Sequence, residues 1–130
     1  MMGVMKRIIS ILCALCSAGC ADPPSAASVC NKLVDAGIAA GCREEKPAGL
    51  GAAAVERYTF DLPSVQGKTG QVLRFENKAT YTQTVDAFAA TAFFAGPHRY
   101  GSEKALIFVQ MNEGLSLELG KSAKATIEGL

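Results

Sequence analysis

The sequence predicts an α+β domain with a small mixed three-stranded sheet and packed helices, in the order α-β-β-α-β-α after a signal peptide. Three observations lead to this fold class. Apolar residues alternate along residues 54–62 and 71–76, as they do in half-buried strands. They recur every three or four positions along residues 80–95, as on an amphipathic helix. Residues 105–109 form the most hydrophobic run of the mature chain, which is typical of a strand covered on both faces.

The first helix is predicted over residues 26–36. Cys30, Leu33 and Val34 fall on one face at helical spacing, and Gly37 is expected to end the helix. Residues 43–51 are polar and contain proline and glycine, so they are expected to form a connection.

Two strands follow this connection and are predicted to pair as a hairpin. Tyr58, Phe60 and Leu62 share one face of the first strand, and Leu73 and Phe75 share one face of the second. The intervening residues 63–70 contain two glycines and are expected to form a long loop between the strands.

The second half of the chain adds a helix, a strand and a helix. Gly96 and Pro97 are expected to stop the helix over residues 80–95. A crossover from residue 71 to residue 111 predicts that the second and third strands are parallel, with residues 105–109 as the central strand. Asn112 is predicted to cap the last helix. That helix carries apolar residues at roughly helical spacing: Leu115, Leu119, Ala123, Ile127 and Leu130.

Length and charge restrict the class of function. A chain of 130 residues has room for one domain, which we place at residues 28–130. Its 13 basic and 12 acidic residues leave a net charge of +1 and form no basic stripe, which argues against nucleic-acid binding. Two domain cysteines and one histidine fall short of a tetrahedral metal site. No phosphate-binding loop or dinucleotide fingerprint is present, so no cofactor is predicted.

The first 19 residues are predicted to be an export signal. Lys6 and Arg7 precede an apolar run over residues 8–16, and small residues follow at 17–19. The apolar run is shorter than the roughly 20 residues that a transmembrane helix needs, so a cleaved signal is favoured over a permanent membrane span.

The end of this leader, Ser17-Ala18-Gly19-Cys20, resembles the lipobox of bacterial lipoproteins. The resemblance implies that Cys20 becomes the acylated first residue, with residues 20–27 as the lipidated cysteine and a short tether. It also implies a protein of the cell envelope, anchored to a membrane through Cys20 and facing the periplasm or the exterior. The resemblance covers only the leader and implies no substrate or protein partner. Cleavage by an ordinary signal peptidase is the alternative, and it would release a secreted soluble domain.

The cysteine count agrees with export. Two of the five cysteines lie in the leader and Cys20 is assigned to the anchor, which leaves Cys30 and Cys42 for one disulfide in an oxidising compartment. A continuous helix would hold their Cα atoms about 18 Å apart, whereas a disulfide needs less than about 7 Å. Either the chain turns back at Gly37 or Gly41, or the two thiols do not pair with each other. The two glycines favour the turn.

Residues 96–102 contain the densest group of side chains that could bind a ligand or take part in catalysis. A contact site is predicted at His98, Arg99 and Tyr100, in which Arg99 binds an anion, Tyr100 stacks or donates a hydrogen bond, and His98 carries a proton. A plain loop with solvated side chains is the alternative. We therefore expect a non-enzymatic binding or structural module whose partner is an envelope protein or a small ligand. A small hydrolase or transferase that uses His98 and Ser102 is the other functional hypothesis, although no G-x-S-x-G elbow surrounds the serine.

Overall fold

The computed structural model describes residues 23–130, so the predicted signal peptide and Cys20 lie outside the described residues. The elements of the described chain, in order, are α1 (Ala26–Asp35), β1 (Ala40–Glu45), a 3-10 turn (Gly49–Gly51), β2 (Glu56–Asp61), β3 (Thr69–Arg74), α2 (Lys78–Ala90), α3 (Ala92–Ala95), β4 (His98–Ser102), β5 (Ile107–Met111) and α4 (Leu117–Glu128).

The sheet has five strands in the order β1-β2-β3-β5-β4, and every neighbouring pair is antiparallel. The predicted three-stranded mixed sheet is therefore wrong, although the protein remains α+β. The β2–β3 hairpin is confirmed, with Glu56 opposite Arg74 and Asp61 opposite Thr69. The predicted parallel pairing of the second and third strands is wrong, because the chain forms the additional strand β4 between the helices and β5. The chain reverses between β4 and β5, so β5 enters the sheet antiparallel to β3.

The helix boundaries follow local capping groups. Ser25 caps α1 by accepting from the backbone N–H of Ser28, at 3.1 Å, so α1 begins inside the predicted tether. Ser116 caps α4 through Leu119 N, at 3.2 Å. The predicted cap, Asn112, instead donates from Nδ2 to the backbone oxygen of Thr69, at 2.8 Å. The single helix predicted over residues 80–95 is divided into α2 and α3.

The main core lies between α1, α4 and one face of the sheet. This face, which we call the helix face, contributes alternate residues of the strands, as the two-residue period of a strand requires. Burial of each large aliphatic side chain stabilises the fold by about 1.5–3 kcal/mol. The fully buried large side chains of this core are Val29 and Leu33 of α1, Ile38, Phe60, Leu62, Val72, Ile107, Val109, Met111, and Ile127 of α4.

A disulfide joins Cys30 of α1 to Cys42 of β1, with a Cα–Cα distance of 6.2 Å. The chain reverses between them through Gly37, at φ +76°, and β1 then bends at Gly41, at φ +64°. Both values lie in the left-handed region that glycine adopts without a steric penalty. The predicted pairing and the predicted turn are thus confirmed.

The opposite side of the sheet, which we call the open face, is covered only in part. Tyr81 and Phe88 of α2 pack with Leu73, Phe75 and Phe108 in a second, smaller apolar cluster. The Phe88 and Phe108 rings lie 5.1 Å apart between centroids. Beyond this cluster the open face carries polar side chains. No helix among residues 23–130 is long and apolar enough to cross a membrane.

Candidate ligand-binding cleft

The structure places the predicted contact residues in strand β4 and not in a loop. Consecutive strand residues point to opposite faces, so His98 and Tyr100 lie on the helix face while Arg99 lies on the open face. Arg99 donates from Nε to the backbone oxygen of Gly96, at 3.0 Å. The three residues therefore do not form one joint surface.

His98 is buried, and both of its ring nitrogens are occupied. Nε2 lies 3.1 Å from the backbone oxygen of Leu115, which can only accept, so Nε2 carries the hydrogen. In the neutral ring, Nδ1 then accepts from the hydroxyl of Tyr100, at 2.9 Å. Burial raises the pKa of Tyr100, and the negative charge of Glu128 raises it further. This pair is an internal polar contact between β4 and the start of α4.

Ser102 lies at the other end of β4 from His98. Four residues of extended chain place the two about 13 Å apart. The hydroxyl of Ser102 is buried and accepts from the backbone N–H of Ala105, at 3.1 Å. Nucleophilic catalysis by such a pair needs direct hydrogen-bond contact between the two side chains, and this structure does not bring them together.

A row of planar polar side chains crosses the middle of the open face. Arg57 of β2 donates from Nε to Oε1 of Gln71 on β3, at 2.9 Å. Gln71 in turn donates from Nε2 to Oε1 of Gln110 on β5, at 3.1 Å, and these two glutamines are direct cross-strand neighbours. We call these three residues the polar row. Each hydrogen bond fixes the orientation of the amide that takes part in it.

The polar row lines a cleft of about 330 Å³. The 3-10 turn and Phe88 of α2 contribute its wall, and Asn112 lines it just beyond β5. The turn lies very close to the sheet. A Cβ atom at Gly51 would lie 2.8 Å from Leu73 Cδ1, so a larger residue would force the two apart. Glycine at this position allows the turn to border the cleft.

The electrostatics of the cleft are nearly balanced. Arg57 is the one charged residue among the nine described residues that line it. Its Nη1 lies 3.4 Å from Oε2 of Glu45, on the neighbouring strand β1. Glu45 is held in place by Thr59, whose hydroxyl donates to Oε1 at 3.1 Å. The cleft therefore offers directional hydrogen bonds without an uncompensated charge.

A second cleft, of about 350 Å³, lies where β1 ends and β2 begins. Its carboxylates are already engaged: Glu44 accepts from Tyr58 Oη at 3.3 Å, and Glu56 pairs with Arg74. Among the described residues, no group of three or more histidine, cysteine, aspartate or glutamate side chains is placed to hold a metal ion. The cleft at the polar row is consequently the better candidate for a ligand.

Comparison with protein-family models, with curated proteins and with solved structures found no match for this chain.

The polar row was not among the sites predicted from the sequence, although the sequence contains a signal for it. Gln71 falls on the same strand face as Leu73 and Phe75, because these residues are two positions apart, and Gln110 likewise falls on the same face as Phe108. A polar residue that interrupts an apolar strand face marks either the edge of the core or a site. The two glutamines are distant in sequence, so their contact required the strand order.

Proposed function

We propose that this chain is a lipid-anchored protein of the bacterial cell envelope, and that its domain is a non-enzymatic binding module whose site is the cleft at the polar row. Lipid attachment rests on the leader and on Ser17-Ala18-Gly19-Cys20, which resembles the lipobox of lipoproteins. The Cys30–Cys42 disulfide supports export, because such bonds persist in oxidising compartments.

The orientation of the polar row is the observation that carries the binding proposal. Two consecutive hydrogen bonds hold the side chains of Arg57, Gln71 and Gln110 in fixed positions at a concave surface. Groups that are already ordered lose little conformational entropy when a ligand binds, which favours affinity. Few convergent polar groups in a concave site are also what small-molecule sites generally present.

The position of the cleft is compatible with a membrane anchor. The backbone N–H of Ala26, at the start of α1, lies 3.3 Å from Oε1 of Glu56, so the tether reaches the domain at the end of the sheet where β2 begins. Six residue steps separate Cys20 from Ala26, which allows a reach of at most about 20 Å. Helix α1 packs on the helix face, whereas the cleft lies on the open face. An anchor at Cys20 would therefore join the domain through the element that packs on the face opposite the cleft.

The anchor is tested by fractionating cells of the native host and measuring the intact mass of the protein. We expect the wild-type chain in the membrane fraction, beginning at Cys20 and carrying acyl mass, because lipid attachment supplies the membrane affinity. Cys20→Ser should move the protein to the soluble fraction. An unacylated wild-type chain in the soluble fraction would reject the anchor and establish a secreted domain instead.

The binding role is tested by nuclear magnetic resonance on the full mature chain, using the side-chain amide signals of Gln71 and Gln110. The probes are maltose, cellobiose, glucuronate and trialanine, each at millimolar concentration. A compound that binds the cleft should shift both signals and leave the exposed Gln83 of α2 unchanged. If none of the four compounds shifts Gln71 or Gln110, the binding proposal fails.

A further inference from the structure

We infer that the cleft recognises a neutral saccharide, through hydroxyl groups that bridge the polar row and Asn112. This inference rests on the proposed binding function and names its ligand class. The inference rests on groups that lie together in the cleft. The guanidinium of Arg57 is hydrogen-bonded to the row of two glutamine amides, and the side-chain oxygen of Asn112 and the exposed Leu50 line the same cleft.

The charge distribution favours a neutral ligand over an anion. The guanidinium of Arg57 is already engaged on two of its nitrogens: Nε donates to Gln71, and Nη1 lies against Glu45 and the backbone oxygen of Lys46, at 3.4 and 3.3 Å. An incoming carboxylate or phosphate would have to displace Glu45 or lie beside its negative charge. A ligand without charge meets no such repulsion.

The cleft residues leave one donor and one acceptor without a protein partner, which favours a ligand that both donates and accepts hydrogen bonds. Within residues 23–130, Nη2 of Arg57 has no acceptor, so the guanidinium of this cleft-lining residue keeps an unmatched donor. Asn112 uses Nδ2 to bond Thr69, and its Oδ1 accepts from no described residue. A hydroxyl group donates and accepts at the same oxygen, and a saccharide presents several hydroxyls in one small volume.

The shape of the site argues against an extended peptide. A peptide in β conformation gains affinity by adding its backbone to a strand edge, whereas this cleft lies on the face of the three inner strands. Its volume of about 330 Å³ is near the small end of the range for ligand pockets, which fits a small saccharide. Leu50 lines the same cleft and is 45% exposed, so it offers apolar surface to the C–H face of a sugar ring.

The test titrates the full mature chain with maltose, cellobiose, glucuronate and trialanine, and follows affinity by calorimetry. At least one of the two neutral disaccharides should bind, and Gln71→Met should weaken its binding about tenfold, because the loss of one hydrogen-bonding group costs about 1.4 kcal/mol. Gln83→Met, the same substitution at an exposed helix position, should leave the affinity unchanged. Leu50→Ala removes only exposed apolar surface and should also weaken binding, which provides a second variant if Gln71→Met fails to fold.

The outcomes separate this inference from the proposed function. Binding of trialanine or glucuronate alone, with shifts at Gln71 and Gln110, would reject a neutral saccharide as the ligand and keep the binding module. Disaccharide binding that is unchanged in both Gln71→Met and Leu50→Ala would place the saccharide elsewhere and reject the inference. If no probe binds, the inference and the proposed function fail together.

Discussion

At the scale of single residues, the contact of His98 with Tyr100 and Leu115 is a matter of stability. His98→Leu should lower the free energy of unfolding by about 1–3 kcal/mol, because it leaves the carbonyl of Leu115 and the hydroxyl of Tyr100 without their buried partner. Urea denaturation measures this change. Lys104→Ala, at an exposed turn, is the matched control and should stay within about 0.5 kcal/mol of the wild type. Equal unfolding midpoints for His98→Leu and the wild type would contradict the structural role.

Gly120 makes this buried contact possible from the side of α4. A Cβ atom at this position would lie 2.9 Å from Cε1 and Nδ1 of His98 and 3.0 Å from Oη of Tyr100. On an open helix surface, alanine in place of glycine stabilises by about 0.5–1 kcal/mol. Here we expect Gly120→Ala to destabilise by about 1–3 kcal/mol, because the side chains must move out of packed positions. Thermal denaturation shows whether Gly120→Ala lowers or raises the unfolding midpoint, with Lys121→Ala as the control in the same helix. A raised midpoint for Gly120→Ala would show that the core accommodates the methyl group.

At the scale of elements, the disulfide constrains the hairpin formed by α1 and β1. Reduction of Cys30–Cys42 should lower the free energy of unfolding by about 3 kcal/mol in the chain-entropy treatment, because the bond closes a loop of 12 residue steps in the unfolded chain. Urea denaturation of the same protein with and without reductant measures the difference. The double variant Cys30→Ala, Cys42→Ala should be insensitive to reductant. An unchanged wild-type midpoint after verified reduction would contradict the prediction.

The elements that the sequence predicted are those with a strong apolar period. Phe60 and Leu62 alternate because they face the main core, Leu73 and Phe75 alternate because they face the second cluster, and Gly37 marks the end of α1. The edge strand β1 was missed because its residues are mostly exposed and only Cys42 packs against the core. The polar residues and the glycine of His98–Ser102 predict a loop, whereas this segment forms the other edge strand, β4. Its burial comes from α4, which lies farther along the chain and leaves no local pattern.

The site was less predictable than the fold because it is assembled across strands. Arg57, Gln71 and Gln110 come from three strands, and their hydrogen bonds depend on an antiparallel register that local sequence patterns do not reveal. The group proposed from proximity in sequence, His98 to Tyr100, is divided between two faces by the two-residue period of its strand. In a strand only alternate residues share a face, so His98 and Tyr100 contact each other while Arg99 lies on the other side of the sheet.

At the scale of the whole molecule, the two faces of the sheet have different roles. Helices α1 and α4 cover one face to form the main core, whereas the other face retains a polar cleft. All three tyrosines of the chain report on this packing. Burial raises the pKa of Tyr81 and of Tyr100, with smaller contributions from Glu103 and Glu128, and burial together with Glu44 raises that of Tyr58. The folded protein therefore holds its phenolic protons more tightly than the unfolded chain does.

This difference predicts a loss of stability in alkali. The unfolded chain releases its phenolic protons near the ordinary tyrosine pKa of 10.0, whereas the folded chain retains them to higher pH. The folded state then binds more protons, so the free energy of unfolding falls as pH rises. The tyrosine contribution is complete below about pH 10 and is lost as pH passes through the folded pKa values. Urea midpoints across this range should decline, and phenolate absorbance of the folded protein should titrate above 10.0. Tyr81→Phe should flatten the decline; an identical slope in this variant would show that other groups dominate.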